Sequence, residues 1–243
     1  KTIDVAANTF TDSAGNYNSA ATQFNWIYDT SIYVNSSTGN DTTGDGTSGT
    51  PYKTFHKGYT SASSGDTIDL TGTFTWTDTD ETGDAANSGY TISKNLTIQG
   101  QGPGNTTVQA HASASTADRR VFNITNGMIV IFKNLMIRHG KGSKVGSTYY
   151  KGGAIGSTYS NSKNVDLTLE NVTISNNYGV SNTAGVYSEG TFNATNCTFE
   201  NNTTDGRGYG IALNLEISNS VPRNIINCTF YNNTSSVASY RHQ

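Results

Sequence analysis

Apolar residues recur along this chain in a fixed relation to asparagine. Five times an Asn is followed by an apolar residue, a spacer and a second apolar residue: Asn95-Leu96-Thr97-Ile98, Asn134-Leu135-Met136-Ile137, Asn171-Val172-Thr173-Ile174, Asn196-Cys197-Thr198-Phe199 and Asn227-Cys228-Thr229-Phe230. Two positions before the Asn stands another apolar or small residue: Phe132, Leu169, Ala194 and Ile225, with Ser93 in the first copy. The alternation extends upstream through Met128 and Val130, and through Val165 and Leu167. Side chains alternate faces along a strand, so each set points one way. From Leu169 to Val172 the step is three residues instead of two, so the strand has to bend to keep its apolar side chains inside. The Asn sits at that bend, and Asn accepts left-handed backbone more readily than most residues.

A second corner follows each short strand: Ser175-Asn176-Asn177, Glu200-Asn201-Asn202 and Tyr231-Asn232-Asn233, with Gly100 and His139-Gly140 in earlier copies. A third short strand is read at Gly153-Ala154-Ile155, Gly185-Val186-Tyr187 and Gly210-Ile211-Ala212. Three strands and three corners per turn predict an all-β chain, a parallel β-helix in which each turn buries its apolar face by stacking on its neighbours. Asn95, Asn134, Asn171, Asn196 and Asn227 are then expected in one column, where amides can hydrogen-bond along the stack. Several corner asparagines are read as pointing inward. The spacing varies, 39 residues from Asn95 to Asn134 but 25 from Asn171 to Asn196, so loops of different length are expected at one corner.

The N-terminal region departs from the pattern. Residues 1–31 form a non-repeat segment with short strands expected at Thr2-Ile3-Asp4-Val5 and Phe24-Asn25-Trp26-Ile27-Tyr28; residues 32–243 carry the helix-like repeat. One α-helix is expected at about 51–62, with Thr50 as N-cap, Pro51 at the first position and Tyr52, Phe55, Tyr59 and Ala62 on one face. It is placed to cap the open end of the stack. No equivalent cap is read after the last unit. The chain is expected either to continue or to be covered there by something else, a neighbouring subunit's N-terminal segment being one candidate.

Composition narrows the class. Charged residues make up 14% and hydrophobic residues 33%, with a formal net charge of −3 and no basic run, so nucleic acid and anionic membranes have no electrostatic draw. No apolar stretch approaches the ~20 residues of a membrane span. A Gly-, Ser-, Thr- and Asn-rich chain beginning at Lys1 reads as a secreted protein, processed or excised. N-x-[ST] sites are frequent, and Asn35 and Asn105, in loops, are the glycosylation candidates. Cys197 and Cys228 occupy the same position in consecutive units, as two small stacked thiols or, with suitable geometry, a disulfide.

Gly152-Gly153-Ala154-Ile155 resembles the GGAI motif, and Phe199-Glu200-Asn201-Asn202 and Phe230-Tyr231-Asn232-Asn233 resemble the FxxN motif, both repeated in polymorphic outer-membrane-protein-like and adhesin-like surface proteins. The stretch from Ile32 to Leu70 is similar to the entry segment of secreted right-handed parallel β-helix proteins, through Tyr33-Val34, Gly39-Asn40-Asp41, Thr50-Pro51-Tyr52-Lys53-Thr54 and Gly65-Asp66-Thr67-Ile68. The resemblance implies right-handed coiling and a family that mixes adhesins and fibre proteins with polysaccharide lyases and hydrolases.

A lyase needs a base and a cation or metal to offset uronate charge. The cationic candidates are Arg138, His139, Lys141, Lys144, Lys151 and Arg207, and no acidic column faces Arg138: later units carry Ser175, Glu200 and Tyr231 there. A hydrolase needs paired carboxylates, and Asp166, Glu170, Glu189, Glu200 and Asp205 are scattered. Two acidic loops are candidate calcium sites, one with Asn40, Asp41 and Asp45, the other with Asp78, Asp80, Glu81 and Asp84. No other cofactor is implied. The expectation is a non-catalytic extracellular or cell-surface protein, adhesin-like or a filament subunit stacking end to end, with a carbohydrate or cell-surface ligand; the alternative is a polysaccharide lyase or other carbohydrate-active enzyme.

Overall fold

A computed structural model describes residues 2–3, 7, 10–17, 24–25, 31–85, 88–146, 148–157, 165–206, 210–215 and 222–236. The chain divides into two compact units, Lys1–Thr30 and Ser31–Gln243. In the first, strands Thr2–Ile3 and Phe24–Asn25 pair antiparallel, Thr2 opposite Asn25. Residues 4–5 and 26–28 of the two expected strands lie outside the described residues.

The second unit is all-β, built mainly of parallel sheets. The longest runs, in spatial order, Arg223–Ile226, Phe192–Thr195, Asp166–Ser175, Ile129–Arg138, Leu96–Gln99, Thr67–Thr75 and Ser31–Asn35, and the short strands Thr106–Gln109, Thr198–Glu200 and Thr229–Tyr231 continue its passes. A second sheet orders Leu213–Leu215, Val186–Ser188, Ile155–Ser157, Phe122–Ile124, Gly89–Ile92 and Asp84–Ala85; a third holds Tyr178–Gly179, Thr203–Thr204 and Thr234–Ser235. The pairs between successive passes are parallel, and Asp84–Ala85 is added antiparallel to Gly89–Ile92. Inward positions of the two larger sheets meet in one core, with Val130, Phe132, Leu135 and Ile137 of one pass and Phe122, Ile155 and Val186 of the second sheet fully buried. Burying such side chains contributes about 1.5–3 kcal/mol each.

The bends arise where the pattern places them. Asn134, Asn171, Asn196 and Asn227 have φ of 53°, 52°, 57° and 51°, and His139, Asn176, Asn201 and Asn232 form a second left-handed set at 55°, 53°, 53° and 47°. The pairings Lys133↔Glu170 and Leu135↔Val172, Glu170↔Thr195 and Thr173↔Thr198, and Thr195↔Ile226 and Thr198↔Thr229 bring the first four to the same place in successive passes.

Four expectations need correction. Asn95 is not in that column: Leu96 pairs with Val130 and Ile98 with Phe132, one strand earlier than the pattern suggests. In that pass Gly100 to Asn105 turn the corner, and Thr106–Gln109 supplies the strand beyond it, with Thr107 opposite Met136. The four column asparagines are exposed, pointing outward, and the inward corner asparagines are Asn177 and Asn202 of the second corner, both buried. The third-strand set is out of register, because Ile155 pairs with Val186, and Val186 with Leu213. The α-helix is shorter, Phe55–Ser61, with Thr54 as its N-cap, donating its own hydroxyl to Asp41 while accepting from the Lys57 amide. Asp41 also accepts the Lys53 and Thr54 amides, and Tyr52 bridges Val34 as an extended residue, so residues 51–54 cannot enter the helix.

Candidate functional site

At the N-terminal end of the second unit, the helix lays Phe55 on Trp76, Tyr90 and Phe122, with ring centroids 5.3, 4.8 and 5.8 Å away. Glu81, expected among the candidate calcium ligands, is instead buried there and accepts the amides of Phe55 and His56 at the helix start. Burial raises its carboxyl to about 7 against the amides' opposing pull. Lys94 closes the helix's other end, its Nζ donating to the carbonyls of Tyr59 and Ala62 at 2.8 and 2.7 Å. That role of Glu81 lay hidden because its partner is a backbone 25 residues away; no local spacing announces it.

The calcium candidates serve local structure. Asp41 accepts from residues 53 and 54 as above. Asp45 accepts from Thr47 and from the Thr50 hydroxyl, which holds its carboxyl down at about 2. Asp80 pairs with Lys53 at 2.5 Å and, with Asp78 and Glu81, lines a cleft of about 210 Å³. Asp84 pairs with Arg119. Among the described residues no three His, Cys, Asp or Glu side chains are grouped to hold a metal.

The cationic candidates do not converge. Arg138 donates to Gln109 Oε1 at 2.8 Å, on the long sheet. His139 Nδ1 lies 3.0 Å from the His111 carbonyl, and burial lowers its pKa. Lys141 sits 5.7 Å above the Tyr178 ring. Lys144 stands exposed in the hairpin Ser143–Val145/Thr148–Tyr150. Arg207 lies outside the described residues. Lys151 meets further chemistry: its Nζ donates to Tyr187 Oη at 2.9 Å, and that hydroxyl donates to Glu189. Of the carboxylates, Asp166 lies opposite Ile129 and Glu200 opposite Ser175 on the long sheet, Asp205 bonds Tyr178, and Glu170 bonds Lys133 at 2.9 Å.

Beside Lys151 lies a buried residue that the sequence did not single out. Arg120 is 2% exposed, donates to Asn123 Oδ1 and the Lys151 carbonyl, and is held down at about 10 by burial. Gly156 makes room for it, since a Cβ there would meet Arg120 Nη1 at 2.2 Å. The available signal was Gly156 itself, interrupting Ile155 and Ser157.

Of the glycosylation candidates, Asn105 is exposed with its Nδ2 on the Gln101 carbonyl, and Asn35 Oδ1 accepts the Ser37 and Thr38 amides. Cys197 and Cys228 are free thiols, and burial raises Cys197 to about 11.

Amide ladders run along the stack. On the outside, Asn171 donates to Asn134, Asn224 to Asn193, Asn227 to Asn196 and Asn232 to Asn201, at 2.7–2.9 Å. Inside, Asn177 donates to Asn202 and Asn202 to Asn233, both at 2.9 Å, in the opposite sense along the stack. At the C-terminal end the ladder reaches strands whose inward positions are open. Ala194 is fully buried but its register partner Ile225 is 46% exposed; Phe199 is fully buried but Phe230, stacked on it at 4.8 Å, is 49% exposed.

No family model matches this chain, and no curated protein and no solved structure matches it either. No helix among the described residues is long and apolar enough to cross a membrane.

Proposed function

We propose that this chain is a non-catalytic extracellular structural or adhesin-like protein, built as a right-handed parallel β-helix and assembling end to end into a filament. The observation that carries the reading is the last described pass, where Ile225 and Phe230 repeat positions buried one pass earlier but stand about half exposed. An edge of parallel strands is a template for further strands. The strand segment of residues 1–30 in a neighbouring copy is the occupant we assign to it. The polar, sparsely charged composition supports an extracellular setting, and the scatter of the cations supports a non-catalytic role. Light scattering and negative-stain imaging of the native protein test this: linear particles are expected, shortened by Phe230→Asp. A native protein that stays monomeric at high concentration overturns the assembly.

The rival, a polysaccharide lyase, draws on Lys151, Tyr187 and Glu189. Its test is release of unsaturated products from uronic-acid polymers, lost in Tyr187→Phe; such release would displace the non-catalytic reading.

A further inference from the structure

The second corner carries a groove that the end-to-end reading does not use. It encloses about 300 Å³ between the 3-10 turn Ala114–Thr116 and the third sheet, and its polar wall is made by Ser115, Asn176, Tyr178, Asn201 and Thr203. That volume is at the lower end for small-molecule sites. The registers explain the convergence. Ser175 pairs with Glu200, which puts Asn176 beside Asn201 at the same left-handed corner, and Tyr178 pairs with Thr203 directly beyond it.

The amides at this corner are only partly used. Asn201 Oδ1 accepts from Asn232 Nδ2 at 2.7 Å, which leaves Asn201 Nδ2 to donate elsewhere. The ladder stops there. Asn176, the next amide in the column, keeps its side-chain donor and acceptor for the groove, while its backbone amide bonds the Glu200 carbonyl. Ser115 reaches the same space from the turn, whose Ser113 hydroxyl lies 3.0 Å from its own. No charged side chain lines the groove among the described residues. Neutral amides and hydroxyls on a rigid left-handed corner, with one aromatic wall, match the alternating donors and acceptors of sugar hydroxyls; the charges nearest that wall, Lys141 over the Tyr178 ring at 5.7 Å and Asp205 beside Tyr178, are of opposite sign.

We infer that this groove is a binding subsite for one neutral sugar residue of a glycan, held by Asn176 and Asn201 against Tyr178. The inference deepens the adhesin reading by naming the ligand class, and it does not depend on assembly. The test uses the whole chain on an array of neutral hexose and N-acetylhexosamine oligosaccharides beside sulfated and uronate glycans, followed by calorimetric titration of the neutral binders. Asn176→Gly and Asn201→Gly keep the left-handed backbone while removing the amide, and each is expected to weaken binding at least ~10-fold, the scale of one hydrogen bond to a neutral ligand. Asn134→Gly, the same change at the other corner, is expected to bind as the parent does. Thr203→Val, which leaves every corner untouched, provides a second lesion in the groove and is expected to weaken binding as well. No binding to neutral glycans, preference for charged ones, or equal binding by the Asn176 and Asn201 variants would overturn the site. Particle length measured on the same variants separates this outcome from failure of the assembly.

Discussion

The two ends of the second unit are made of the same kind of inward residue and finish differently. At the N-terminal end, Phe55 and Tyr59 close over Trp76 and Tyr90, and Glu81 and Lys94 tie down both termini of the closing helix. At the other end, Ile225 and Phe230 stand about half exposed although Ala194 and Phe199, one pass earlier, are fully buried. Inward pattern alone thus decides which way a side chain points. Whether it is buried depends on the next layer, and that layer is present at one end only among the described residues.

Four changes test this difference. Phe55→Ala opens a cavity beneath the helix and is expected to cost about 3–5 kcal/mol by urea unfolding, the range for emptying a buried aromatic site. A loss below ~1 kcal/mol would mean the helix does not seal that end. Glu81→Gln should flatten the pH dependence of stability. A carboxyl raised from 4.5 to about 7 in the folded protein stabilises fully below 4.5, and the benefit fades as pH rises through about 7. The parent should therefore lose at most roughly 3 kcal/mol across that window at 1.36 kcal/mol per pKa unit, and the variant little of it; parallel thermal melts from pH 4 to 8 decide. Asn202→Ala removes a buried amide that accepts from Asn177 and donates to the Ile174 carbonyl, at about 2 kcal/mol for stranded partners. Protection of the Asn177 amide in hydrogen exchange should fall with it. Phe230→Ser, at the open end, should shift unfolding of isolated copies by less than ~1 kcal/mol while reducing particle length; a core-sized loss would show that something already covers it.

Much of the fold could be read from the sequence because one local requirement, a left-handed residue at a bend, recurs with the same letter. Asn134, Asn171, Asn196 and Asn227 stand in register for that reason. The same four-residue pattern misleads at Asn95, where a loop from Gly100 to Asn105 turns the corner and the short apolar strand belongs to the preceding position. Thr50-Pro51 has the composition of a helix start, yet the Asp41 carboxylate holds the next residues extended from a distance the sequence does not display. Corner residues of the groove, Asn176 and Asn201, could be read as bends. Ser115, which closes it, lies in a long loop with no repeat to announce it. The helix-holding role of Glu81, and Arg120 altogether, were missed for a related reason: each has a partner far along the chain, and only packing brings the two together.

The amide ladders carry a direction. Among the described residues the outer rungs donate back toward the N-terminal end, and the inner rungs, Asn177 to Asn202 and Asn202 to Asn233, donate forward. The last described pass therefore carries the side-chain oxygens of Asn224, Asn227 and Asn232 on its outer face, and a further rung on these columns would have to donate to them. Two copies meeting tail to tail would oppose these three oxygens to their own counterparts. Twofold pairing through this face is thereby penalised, and growth, where it occurs, has a single sense.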